Sequence, residues 1–129
     1  MAKATVSVTP IAVQNALLMS WEHRVDRDDV RAAFQEMTDY LNEASRPLYV
    51  IVDLRNNPMF PLAETITAAF WGPFRHPLLA EWLVVGSSPA ARTIGRTLTG
   101  ISRRDNIRWF QTMEQAEEYL AKVALNKAI

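Results

Sequence analysis

The sequence predicts an α/β fold with a mostly parallel sheet, and three observations lead to this prediction. First, residues 47–54 are a nearly unbroken apolar run rich in β-branched and aromatic side chains, typical of a strand covered on both faces. Second, strand-like and helix-like patterns alternate along the chain, which indicates right-handed crossovers. Third, the strand candidates 5–9 and 16–21 lie too close in sequence for a crossover and must pair antiparallel. We therefore expect one domain, residues 1–129, with an N-terminal antiparallel hairpin and about four helices.

The first helix is expected between the hairpin and the central strand. Gln14 and Asn15 supply the hairpin turn, and Asp26 or Asp28 can cap the helix that follows. Apolar residues then recur at helical spacing as far as residue 44. Pro47 disfavours helix in the residue before it, so the helix should end at residues 45–46.

Proline and glycine mark the next two helices. Pro61 suits the first turn of a second helix, which Gly72 and the proline after it should end or kink. A strand over residues 80–86 leads to a third helix, for which Ser88 is the expected cap and Gly100 the expected end. Gly95 inside that helix predicts close packing against a neighbouring element, because glycine weakens a helix.

The last strand and helix have short but definite signals. Residues 107–110, three apolar residues with Arg108 among them, are expected to form a short edge strand. Thr112 and Gln115 have the three-residue spacing of a capping box, so the final helix should begin there.

The composition excludes several classes of function. The 14 basic and 14 acidic residues give zero net charge, which argues against a nucleic-acid-binding protein. The chain has no cysteine, so it has no disulfide, thiol nucleophile or zinc–thiolate site, and a cytoplasmic protein is the default. We recognise no signal peptide and no apolar run long enough to span a membrane. No catalytic or metal motif is found, so we expect a protein that is not an enzyme and needs no metal or cofactor.

The candidate binding surface lies where two parallel strands end. The carboxyl ends of parallel strands converge on one edge of a sheet, and the loops that follow carry the working residues in open α/β folds. Exposed aromatic or apolar side chains near such a loop are typical contacts for a partner. The partner- or ligand-binding candidates are Asp53, Arg55, Asn56, Asn57, Met59, Phe60, Trp71, Ser87 and Ser88.

Two functions fit this surface. A protein-binding domain should leave Met59, Phe60 and Trp71 exposed. A carrier of a small molecule or lipid should instead enclose them around an apolar cavity of a few hundred Å³ between the sheet and the second helix.

Other groups favour ordinary structural roles. Asp53 and Glu64 could form a carboxylate pair, but an aspartate that braces the loop after its strand is the better interpretation. His23 and His76 lack the neighbours of a metal site. Arg92 and Arg96 share a helix face that could bind an anion, although an ordinary solvent-exposed helix face is the simpler interpretation.

The order of elements resembles the STAS family, and more narrowly its SpoIIAA-like branch of small stand-alone bacterial proteins. Three stretches carry the resemblance: residues 49–54, with an acid near the end of the central strand; residues 82–86; and residues 108–120, with an aromatic residue, a cap, an acid, an alanine and a Tyr-Leu pair in sequence. Together with the helix order they cover most of the chain.

The resemblance implies a regulatory domain that binds a protein such as an anti-sigma factor or a kinase. Switchable family members carry a phosphorylated Ser or Thr at the start of the helix after the central strand, where this chain has Leu62 and Ala63. Thr65 and Ser88 are the remaining candidate phosphorylation sites, and a phosphate on Ser88 would lie at a helix N-terminus near Arg92. The sequence also leaves a homodimer open.

Overall fold

The protein is an α/β structure with one five-stranded sheet and four helices, as the sequence predicts. The computed structural model describes residues 5–11, 15–86 and 88–128, with side chains up to residue 123. The strands are β1 (Val6–Ile11), β2 (Ala16–Trp21), β3 (Leu48–Asp53), β4 (Leu79–Val85) and β5 (Ile107–Phe110). The helices are α1 (Arg27–Glu43), α2 (Leu62–Trp71), α3 (Pro89–Ser102) and α4 (Met113–Ala128), with a 3₁₀ turn at Pro73–Arg75.

The strand order in the sheet follows the chain, β1-β2-β3-β4-β5. β1 and β2 pair antiparallel, and every later pair is parallel. The register places Ser20, Asp53, Val85 and Phe110 in one row. This row is the carboxyl edge of the sheet, from which α2 and α3 begin.

The helices are distributed unequally over the two faces of the sheet. α1, α2 and α3 pack on one face with the larger hydrophobic cluster, which includes Val50 and Val52 of β3. α4 packs on the other face, where Tyr49 and Ile51 meet its buried side chains. β3 is therefore covered on both sides, which confirms its prediction as the central buried strand.

The predicted starts of two helices are confirmed by their caps. Asp26 Oδ1 accepts from Asp28 N–H at 2.7 Å, so Asp26 caps α1. At α4, Thr112 Oγ1 accepts from Gln115 N–H at 3.2 Å, and the Gln115 side chain returns to Thr112 N–H at 3.4 Å. This reciprocal pair is the capping box that the spacing predicts.

The predicted end of α3 at Gly100 is wrong. The helix continues to Ser102, and Arg103 ends it in the left-handed conformation with φ 59°. Arg103 N–H donates to Thr99 O at 2.8 Å, so this carbonyl in the last turn of the helix has a partner although no glycine ends the helix. Gly95 does pack closely as predicted, since a Cβ there would lie 2.8 Å from Trp109 Cζ2.

The start of α2 differs from the prediction by one position. Pro61 is the residue before the helix, not its first residue, and its carbonyl accepts from Thr65 N–H at 3.0 Å. Among the described residues, no helix combines the length and apolar character needed to cross a bilayer.

Candidate functional site

The loop of residues 55–60, called the β3–α2 loop below, is fixed by hydrogen bonds to the last residue of β2 and to the segment that follows it. Asn56 Nδ2 donates to Trp21 O at 3.2 Å, and Met59 N–H donates to His23 O at 2.8 Å. Asn57 has a φ of 53°, a region that asparagine tolerates better than most residues. The loop is thus a rigid part of the carboxyl edge, and the Asn56 amide is used structurally.

Asp53 and Arg55 form an ion pair at the base of this loop. The guanidinium donates from Nε to Oδ1 and from Nη2 to Oδ2, both at 2.9 Å, and Arg55 N–H also donates to Oδ1 at 3.1 Å. The hydrogen bond from the Arg55 side chain lowers the pKa of Asp53 below its usual value. Asp53 therefore braces the turn, and both of its carboxylate oxygens are paired with Arg55.

The apolar residues of the loop point in different directions. Met59 is 69% exposed, and Leu62, the first residue of α2, is also exposed. Phe60 turns inward, with its ring centroid 5.4 Å from that of Trp21. Of the aromatic and apolar candidates in the loop, Met59 is exposed and Phe60 is half-buried.

Trp71 is 70% exposed but lies at the far end of α2. The helix has 10 residues, which corresponds to about 15 Å at 1.5 Å per residue. The Trp71 ring contacts Phe70 edge-on at 5.4 Å, and the Arg75 guanidinium lies 5.2 Å from its centroid. Trp71 is thus separated from the β3–α2 loop, although the sequence predicts that it lies beside this loop.

A groove between α1 and α2 connects the two ends of α2. It is lined by side chains of both helices, among them Arg31, Gln35, Glu64, Thr67 and Trp71. Glu64 pairs with Arg27 at 3.0 Å and Arg31 at 3.8 Å. Because Glu64 pairs across to α1 and Asp53 pairs with Arg55, the two acids do not form a carboxylate pair.

The loop after β4 adjoins the β3–α2 loop, as expected for neighbouring parallel strands. Gly86 has a φ of 80°, and a Cβ at this position would lie 3.3 Å from Arg55 N. Ser88 Oγ accepts from Ala91 N–H at 3.2 Å and caps α3. Ser87 lies outside the described residues.

The candidate phosphorylation sites differ in their surroundings. Thr65 is only 3% exposed, and its hydroxyl donates to Pro61 O at 2.8 Å. A kinase could reach it only after α2 opens. Ser88 is partly exposed and its oxygen is already used as a cap.

A small apolar cavity lies beneath α2, between the sheet and the three helices of that face. Its volume is about 70 Å³, and Phe60, Thr65 and Ala69 are among its lining residues. Trp21 and Trp82 also line it, and both indole N–H groups are buried without a hydrogen-bond partner in the described part of the protein. Unpartnered buried donors are uncommon, because each one costs about 1–3 kcal/mol.

The histidines have structural partners. His76 Nδ1 accepts from Leu78 N–H at 3.1 Å, so its Nε2 carries the proton and donates to Asn42 Oδ1 at 2.8 Å. His23 Nδ1 lies 3.4 Å from Asn56 O. Within the described ranges, no three His, Asp or Glu side chains are grouped closely enough to bind a metal ion.

The sequence did not predict two polar clusters near the first residues of β4 and β5. Arg104 donates to the carbonyls of Phe74 at 2.8 Å and Leu79 at 3.0 Å, which fixes the turn before β4. Glu81 accepts from Arg108 at 2.8 Å and from the Tyr119 hydroxyl. The pairing of residues so far apart in sequence gives no local signal, so only the fold reveals it.

Comparisons with known proteins give no family assignment. No protein-family model matches the chain, and a search of curated proteins also finds no match.

Proposed function

We propose that this protein is a non-enzymatic regulatory domain, located in the cytoplasm, that binds a protein partner through the β3–α2 loop and the exposed side of α2. The observation that carries the proposal is the exposure of Met59 and Trp71 at the two ends of this surface. Large apolar side chains exposed on a surface are typical contacts of protein interfaces, and tryptophan is frequent among residues that dominate binding energy.

The rigidity of the loop supports this proposal. The hydrogen bonds from Asn56 to the end of β2 and from Met59 to the segment after β2 hold the loop in one conformation before a partner arrives. A surface that is already ordered loses less conformational entropy on binding. The resemblance to the SpoIIAA-like branch of the STAS family points to the same surface.

The proposal does not include phosphorylation at the start of α2, where switchable STAS proteins carry their Ser or Thr. Leu62 and Ala63 have no hydroxyl, and the Thr65 hydroxyl is buried against Pro61. We therefore propose constitutive binding, with a STAS-type partner such as an anti-sigma factor or a kinase as the first class to test.

The test is an affinity purification from the host with tagged wild-type protein and two variants. Met59→Ser with Trp71→Ser removes the exposed apolar groups, while Ile101→Ser removes a side chain that is 55% exposed on α3. We expect a stoichiometric partner with the wild type and with Ile101→Ser, and its loss with the double variant. Equal recovery with all three proteins, or no stoichiometric partner with any of them, would contradict the proposal.

A second candidate function, binding of a small apolar ligand, is favoured by the cavity with its two unpartnered indole donors. Ligand pockets usually measure about 300–1,000 Å³. The cavity of about 70 Å³ is much smaller, and Met59 and Trp71 do not line it. A ligand of this site would therefore have few atoms and at least one hydrogen-bond acceptor for Trp21 or Trp82.

Nuclear magnetic resonance can test this candidate because the chain has four tryptophans. Acetone, a small ketone with one acceptor, should shift the indole N–H signals of Trp21 and Trp82 and leave those of Trp71 and Trp109 in place. Isobutane, of similar size but without an acceptor, should not produce the same downfield shift. Unchanged Trp21 and Trp82 signals in both titrations would eliminate ligand binding at this cavity.

A further inference from the structure

β5 forms one edge of the sheet and presents unpaired backbone groups on its outer side. Its inner side pairs with β4, where Trp82 N–H donates to Asn106 O at 2.8 Å and Gly86 N–H donates to Phe110 O at 3.1 Å. Backbone groups of successive strand residues point to alternate sides. The N–H and C=O groups of Ile107 and Trp109 therefore point away from β4, and no described residue pairs with them.

The opposite edge of the sheet is interrupted by a proline, whereas β5 contains none. Glu22 N–H donates to Thr5 O at 2.9 Å, so the odd-numbered residues of β1 direct their backbone groups toward β2. The backbone groups of the even-numbered residues, including Pro10, therefore point away from the sheet. Proline has no N–H to offer to an added strand. β5 has no proline and shows the open edge that natural sheets usually block.

A basic groove runs beside this open edge. Its lining includes Arg92, Arg96 and Thr99 of α3, with Asp105 and Trp109 from the β5 side. The Arg92 guanidinium lies 4.2 Å over the Trp109 ring. Neither Arg92 nor Arg96 has a carboxylate partner among the described residues, and α3 contains no acidic residue.

We propose that the outer edge of β5 accepts an extended acidic segment of a partner protein as a sixth strand. The segment would pair its backbone with Ile107 and Trp109, and every second side chain would point to the α3 side of the sheet. Carboxylates at those positions would reach Arg92 and Arg96 and form charge-assisted hydrogen bonds there.

Charge distinguishes this partner from a second copy of the same chain. Pairing of β5 with β5 of another molecule would bring two copies of the basic α3 face together across the junction. Like charges placed close together destabilise such a pairing. An acidic strand neutralises the same face, so it is the occupant that the groove favours.

The probe is a synthetic eight-residue peptide with Glu at alternate positions and Val and Thr between them. Amide hydrogen exchange should slow at least tenfold for Ile107 and Trp109 when the peptide is present at millimolar concentration. Exchange at Arg108 and Phe110, whose amides face β4, should be slow already and should change little. This alternation is specific to strand addition, because binding to the side chains alone would not produce it.

Variants and a control peptide test the role of charge. Arg96→Gln should weaken peptide binding about tenfold, whereas Arg46→Gln removes one exposed arginine elsewhere and should have little effect. A peptide with Lys in place of Glu should not bind, and Met59→Ser with Trp71→Ser should bind the acidic peptide normally.

Three results would overturn the inference. The first is unchanged exchange at Ile107 and Trp109 with the acidic peptide. The second is equal binding of the Lys peptide. The third is protection of both amides in the free protein together with a dimeric mass, which would show that a second copy occupies the edge.

Discussion

The contact between α3 and β5 can be tested with two glycine substitutions in one helix. Gly95 faces Trp109, and an added Cβ would lie 2.8 Å from Cζ2 and 3.4 Å from Cη2 of that ring. Gly100 has no atom within 4 Å of the same position. Gly95→Ala and Gly100→Ala therefore make the same chemical change with and without a steric neighbour.

The expected magnitudes follow from two opposing effects. Alanine is more favourable than glycine inside a helix by up to about 1 kcal/mol, and Gly100→Ala should gain up to that amount. Gly95→Ala gains the same but must displace the Trp109 ring, which the Arg92 guanidinium covers at 4.2 Å. Overfilling a packed site costs about 1–3 kcal/mol, so we expect Gly95→Ala to change stability by a net loss of roughly 0–2 kcal/mol.

Urea-induced unfolding measures both changes, provided that the two variants keep the wild-type dependence on urea. The free energy of unfolding should rise for Gly100→Ala and stay level or fall for Gly95→Ala. The Trp109 indole signal should also move in Gly95→Ala and stay in place in Gly100→Ala. If both variants gain the same stability, Trp109 does not pack against α3 and the described contact is wrong.

Three further predictions concern the core and the ionisable pairs. Val50→Asp should lower the free energy of unfolding by about 4 kcal/mol or more, because it buries an unpaired charge in the central strand, and chemical denaturation measures this loss. Arg55→Gln should raise the pKa of Asp53 in a carboxyl titration by nuclear magnetic resonance. Since Asp53 has a lowered pKa in the folded protein, its pairing stabilises the fold above the ordinary value of 3.8, and the stability difference between wild type and Arg55→Gln should disappear as the pH falls below that value. Burial and the hydrogen bond to Glu81 raise the pKa of Tyr119, so an ultraviolet titration should show a tyrosine that ionises above pH 10.0, and this signal should be absent from Tyr119→Phe. The protonated Tyr119 hydroxyl therefore stabilises the fold below pH 10.0, and this stabilisation is lost as the pH rises through the raised pKa.

The fold could be predicted because its signals are local. The apolar run of β3, the Ser88 cap and the Thr112–Gln115 spacing each depend on a few neighbouring residues. The antiparallel first pair and the mostly parallel remainder of the sheet followed from connection lengths and the handedness of crossovers. The end of α3 was misplaced because Arg103 adopts a conformation for which glycine is the usual signal.

The candidate site was less predictable because it depends on the direction of side chains. Phe60 and Met59 are adjacent, yet Phe60 packs on Trp21 and Met59 is exposed. Trp71 is close to the loop in sequence terms but is carried away along α2. Packing against a residue distant in sequence determines the direction of Phe60, whereas the length of α2 determines the position of Trp71. The unpartnered indoles of Trp21 and Trp82 depend on packing in the same way as Phe60.

The two proposed binding surfaces differ in how far they are ordered before a partner binds. The β3–α2 loop is held to the end of β2 and to the segment after it by side-chain and backbone hydrogen bonds, so its exposed Met59 is presented without further ordering. The edge of β5 has only four residues and relies on β4 for its pairing. An added strand would supply the second set of backbone hydrogen bonds that β5 lacks. Binding at the loop should therefore leave local stability nearly unchanged, whereas binding at the edge should stabilise β5 against local opening.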